Sequence, residues 1–77
     1  MSNQSAIQSW AKLSVSRPNA AINELKAVTP AARERVIREL RVYPAALMGL
    51  LRADFLPRDW KVVIEEELAD AGFTMMT

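Results

Sequence analysis

Four arginines, Arg33, Arg35, Arg38 and Arg41, crowd into the nine-residue stretch RERVIRELR. They are the densest set of basic side chains in the chain. At about 100° per residue along a helix, Arg38 and Arg41 lie opposite a Val36/Leu40 stripe, and Arg35 falls to one side. Two readings follow. Glu34 precedes Arg38 by four and Arg35 precedes Glu39 by four, and such pairs stabilise a helix by about 0.2–0.5 kcal/mol each. On that reading the arginines form an ordinary solvated face. On the other, Arg35, Arg38 and Arg41 join Arg52, Arg58 and Lys61 in a basic surface that meets nucleic-acid phosphates or an acidic patch on a protein. The acids interleaved with these bases dilute the electrostatic footprint of a DNA binder.

The carboxylates gather at the other end, as Glu65, Glu66, Glu67 and Asp70. Consecutive positions on a helix point in several directions, so these acids form no evident metal cage. Glu67 is the odd one. Helical spacing places it among Trp60, Val63, Ile64 and Ala71, on the inward side. A buried carboxylate without a partner is costly. The expectation is an arginine from another helix or a position at the rim, with contact to a binding partner as the alternative.

Catalytic chemistry finds little footing. The chain has no His and no Cys, which removes the usual zinc ligands, disulfides and the common nucleophile–base pairs. The two glycines stand far apart, so there is no phosphate-cradling loop. The expectation is a protein that is not an enzyme, with no catalytic residue, metal or cofactor.

The elements that must position these groups are read from the apolar pattern. With 77 residues, 51% of them hydrophobic, the chain makes a single domain and lies well above the range of disorder. A domain of this size is marginal without dense packing, a second copy or a partner. Tyr43 to Pro57 is its centre. Ala45, Ala46, Leu47, Met48, Leu50 and Leu51 leave no polar face, so a short central helix ending near Asp54 is expected, wrapped by the others. At about ten residues it is too short to cross a bilayer, which takes about 20. Gly49 in its middle suggests the close passage of another backbone. The stretch is either packed inside one chain or shared with a partner chain.

Before it, residues 1–5 read as a lead-in, with Ser5 as the cap of a first helix over 6–15. Ile7, Trp10, Ala11 and Val15 face in, while Gln8, Ser9 and Lys12 face out. Ser16 is the expected cap of a second helix reaching about Val28, with Ala21, Ile22, Leu25 and Val28 inward. Thr29-Pro30 is a clear start for a third, which runs to about Val42. Its stripe is Ala32, Val36, Leu40 and Tyr43, with Ile37 beside it. Phe55 and Leu56 are expected to tuck in as linker residues. Pro57 opens a last helix to about Ala71, with Trp60, Val63, Ile64 and Leu68 inward. Gly72 ends it in the left-handed conformation, and Phe73 folds back over it.

Prolines at 18, 30, 44 and 57 each open a helix, so the predicted fold is all-α, a compact bundle of about five short helices with Pro-initiated tight turns. The tail Phe73-Thr74-Met75-Met76-Thr77 is apolar. Phe73, Met75 and Met76 either lie over the core or dock on a partner.

Charge is uneven. Residues 1–61 carry net +5 and residues 62–77 net −4, which makes a basic body with an acidic end. The N-terminus MSNQSAIQSW lacks the pattern of a signal peptide, and a cytoplasmic location is expected. The chemistry left to such a chain is binding. The first expectation is a small protein-interaction module, a regulator, inhibitor or adaptor that holds a larger protein and forms a homodimer in one variant. The second is a nucleic-acid-binding regulator that uses the arginine face. No membrane role is expected.

Overall fold

The computed structural model describes residues 3–72, with side-chain surroundings from Ala6 onward. Among the described residues the chain is all-α. It runs through α1 (Asn3–Ser16), α2 (Pro18–Lys26), α3 (Pro30–Glu39), a short 3-10 helix (Leu40–Val42), α4 (Pro44–Leu51) and α5 (Arg58–Asp70). No helix among these residues is long and apolar enough to cross a membrane.

Three helices start on proline at their first position, where the missing N–H costs nothing. The fourth proline, Pro57, stands one residue earlier, as the cap of α5. Thr29 is a full N-cap, extended at φ −64° and ψ 154°, and its Oγ1 accepts a hydrogen bond from the Ala32 N–H at 3.2 Å. Two other expected caps are corrected. The helix begins at Asn3 and already includes Ser5. Arg17 rather than Ser16 precedes α2, without a side-chain cap, because the Ser16 hydroxyl donates back to the Lys12 carbonyl at 2.8 Å. At the other end Gly72 takes φ +94°, the left-handed turn that suits glycine.

The core is built from Ile22, Leu25, Ile37, Leu40, Leu47, Leu50, Ile64 and Leu68, with Trp60 at one side. In α3 the stripe turns toward Ile37 and Leu40, leaving Ala32 and Val36 half-buried. The central helix α4 packs against α1, α2, α5 and the 3-10 helix. It stops at Leu51, short of Asp54. Its burial is not complete all round: Ala46, Leu47, Gly49 and Leu50 are buried, while Ala45 and Met48 face solvent.

The contact of α1 with α4 is the most extensive in the bundle, and Gly49 sets it. A Cβ at this position would run into the Ser14 carbonyl oxygen and stand 3.2 Å from Val15 Cα. The close backbone approach also corrects the inward face of α1. Ser14 takes the buried position and Val15 turns out, 54% exposed. A small side chain fits where two backbones nearly touch. The hydroxyl is satisfied internally, donating to the Trp10 carbonyl at 2.8 Å. Trp10 itself is half-buried against the core.

Candidate functional site

Helices α3 and α5 lie side by side and run the same way, since Arg33 pairs with Trp60 and Arg38 with Glu67. The Arg33 guanidinium sits 4.4 Å from the centroid of the Trp60 ring, within the range of a cation–π contact. Five residues on, Arg38 gathers three carboxylates. Its Nε donates to Glu34 Oε2 at 3.0 Å, its Nη1 to Glu67 Oε2 at 2.6 Å, and its Nη2 stands 3.9 Å from Glu66 Oε1.

The expectation that Glu67 meets an arginine from another helix is met by Arg38. Arg38 faces outward as expected, 44% exposed, with one N–H engaged by Glu34 and one by Glu67. Arg38 is held above the ordinary guanidinium value, first by the hydrogen bond to Glu34 and then by that to Glu67, against a smaller desolvation effect. A raised cation contributes stability that is fully present below its unfolded value and is lost only as pH rises through the folded one. Deprotonation of Arg38 therefore costs the fold nothing from neutral to mildly alkaline pH.

The remaining predicted contact residues are dispersed. Arg35 and Arg41 are exposed and form no ion pair among the described residues; the expected Arg35–Glu39 pair is not formed. Arg52 caps the end of α4 and Arg58 begins α5. Lys61 follows one turn later, and all three are exposed. Arg58, Lys61 and Val62 share one face of α5 by helical spacing. Phe73, Met75 and Met76 lie outside the described residues.

Between Arg52 and Arg58 stands the largest departure from expectation. Phe55 is not tucked in; it is 80% exposed. Its neighbour Leu56 is the one packed against the core. The turn that presents Phe55 is braced from α2. The Asp54 N–H donates to Asn19 Oδ1 at 2.8 Å, and Asn19 Nδ2 donates to Asp54 Oδ2 at 3.1 Å. Sequence reasoning missed this clasp, and the only sequence signal for it was a polar Asn early in a helix and an Asp after one.

A groove of about 620 Å³ opens at the opposite end of α5. Glu67, Arg38, Glu39 and Arg41 supply its polar wall, and Ile7, Val42 and Tyr43 its apolar one. Among the described residues no group of three or more acids stands close enough to hold a metal ion. No family model, no curated protein and no solved structure matches the chain.

Proposed function

We propose that this chain is a non-catalytic protein-interaction module whose contact surface is centred on Phe55. The observation that carries the reading is a large aromatic side chain, 80% exposed, on a turn braced by two hydrogen bonds to Asn19. An exposed Phe on a loose loop would be unremarkable. On a braced turn its ordering cost is met in advance, which favours binding. Arg52 and Arg58 flank it, Lys61 follows, and Val62 adds a second exposed apolar group on the α5 face. An apolar centre with a charged rim, Arg52, Arg58 and Lys61 interleaved with the exposed Asp54 and Asp59, has the anatomy of a protein interface. The partner that fits is a larger protein with an apolar slot for Phe55 and a polar edge of both charge signs.

The test compares wild type with Phe55→Ser as bait in the native host, with and without nuclease. Phe55 touches little of the core, so the variant should keep its fold and its thermal midpoint. Wild type should retain one protein whatever the nuclease treatment. The variant should bind that protein about tenfold more weakly or worse, as expected for an aromatic anchor. Retention of nucleic acid instead, lost with salt and nuclease and reduced by Arg35→Ala plus Arg41→Ala, would overturn the reading in favour of a nucleic-acid-binding regulator.

A further inference from the structure

A second groove, of about 550 Å³, opens between the outer face of α1 and the residue that leads into α4. Gln8, Ser9, Ala11, Lys12 and Tyr43 line it. Gln8 and Ser9 precede Lys12 by four and three positions, so one face of α1 carries all three. Lys12 is the only charged residue lining this groove, and it forms no ion pair among the described residues. The Gln8 amide, the Ser9 and Tyr43 hydroxyls and the Lys12 ammonium all carry donor hydrogens. None of these side chains donates to another described residue. The neighbouring groove, which shares Tyr43, sets no opposing field, since Arg38 and Arg41 stand there against Glu39 and Glu67. One uncompensated cation among unused donors, with no carboxylate in the lining, is the composition of an anion site.

We propose that this groove binds a small organic phosphate monoester. Its phosphate oxygens accept from the Lys12 ammonium, the Ser9 and Tyr43 hydroxyls and the Gln8 amide, and its organic body lies along Ala11 and the Tyr43 ring. The lone cation selects an anion over a neutral or cationic ligand. The number of donors selects phosphate over carboxylate. A monoester brings three acceptor oxygens and a charge of about −1.5 to −2 at neutral pH, where a carboxylate brings two oxygens and a single charge. Ala11 is buried and Tyr43 half-buried, which gives the organic body a fixed wall. The volume falls within the range of small-molecule sites, about 300–1,000 Å³. The site uses neither Phe55 nor the residues around it and does not rest on the role given to them.

The experiment titrates the labelled protein with phenyl phosphate and follows amide NMR shifts. Benzoate and phenol, the same ring with a carboxylate or with no anion, are the controls. Saturable shifts at Gln8, Ser9, Lys12 and Tyr43 are expected with phenyl phosphate, weaker by about fivefold or more with benzoate and absent with phenol. Lys12 is exposed, so Lys12→Gln should keep the fold and weaken the phosphate probe about tenfold or more, the loss of a hydrogen bond between charged groups. Tyr43→Phe keeps the ring and should weaken it about threefold, the loss of one donor. Arg35→Ala, outside the groove, should change nothing. Phenyl phosphate should also raise the thermal midpoint of wild type but not of Lys12→Gln, because a ligand of the folded state stabilises it. Benzoate or phenol binding as tightly as phenyl phosphate would overturn the proposal. So would shifts that never saturate and spread over the exposed arginines, or a Lys12→Gln variant that binds as well as wild type.

Discussion

Along the α1–α4 seam two backbones come so close that residue 49 must lack a Cβ. Along the α3–α5 seam the helices are joined by long side chains, Arg38 reaching Glu67 and Arg33 lying over Trp60. The first seam holds by shape. It has no room for an added methyl, and its polar group, Ser14, is satisfied within its own helix. The second adds charge contacts to the apolar core around Ile37, Ile64 and Leu68, and it cannot lose one charged partner without stranding another. A small domain without disulfides uses both kinds of contact, and each has its own way to fail.

The largest effect is expected at the shape-held seam. Gly49→Val should destabilise by about 3 kcal/mol, at the upper end of overpacking. The milder Gly49→Ala meets the same carbonyl oxygen, and its gain in helix propensity of about 1 kcal/mol offsets only part of the clash. For 77 residues the whole stability is about 4–12 kcal/mol, so Gly49→Val should visibly shift a denaturant midpoint. An unchanged midpoint would show that α1 and α4 separate easily, and the contrast between the seams would collapse.

Second is the charge-held seam, where the pattern matters more than the size. Arg38→Met should destabilise more than Glu67→Gln, because it leaves a buried carboxylate with no cation, whereas the amide removes the buried charge itself. The double variant Arg38→Met/Glu67→Leu should recover much of the loss, since apolar replacement of a paired charge is often neutral. Thermal melts of wild type, Arg38→Met, Glu67→Leu and the double variant complete the cycle. Additive losses would mean the 2.6 Å contact is not a coupled pair.

Smaller still, Arg33→Ala should cost about 0.5–1 kcal/mol by loss of the contact with Trp60. Tryptophan fluorescence should shift with it. Smallest is Glu66→Ala. Its 3.9 Å approach to Arg38 is long and solvent-exposed on both sides, so the stability change should stay within about 0.5 kcal/mol and vanish at high salt.

How much of this could be read from the sequence depended on how local the cause was. Thr29-Pro30 and Gly72 were legible because a cap and a left-handed turn are set by neighbouring residues. Gly49 was legible as a close approach because a glycine in an apolar helix needs a reason. The demand of Glu67 for an arginine followed from its inward position alone. That Arg38 would answer did not follow, since the choice depends on how α3 and α5 sit against each other. The exchange of Val15 for Ser14 had the same origin: helical spacing fits both positions, and only the path of α4 decides between them. Phe55 was misread because apolar residues in a linker usually find cover, and here the Asn19–Asp54 clasp fixes a turn in which Leu56, not Phe55, packs against the core. Of the candidate contact residues, the sequence brought out Arg52, Arg58 and Lys61 but not the aromatic between them.

The Asn19–Asp54 clasp also bears on the order in which the chain folds. It joins residues 35 apart in sequence, whereas each helix and turn forms from near neighbours. Closing a loop of that length costs about 3 kcal/mol in chain entropy by the (3/2)RT ln n relation, beyond a constant term, and two exposed hydrogen bonds repay little of it early. The clasp should therefore close after the rate-limiting barrier, once α1, α2 and α4 are already together. Asn19→Ala should then leave the folding rate nearly unchanged and speed unfolding, a φ-value near zero in a chevron analysis. In that order the turn bearing Phe55 is the last part of the molecule to be set in place and the first to be released.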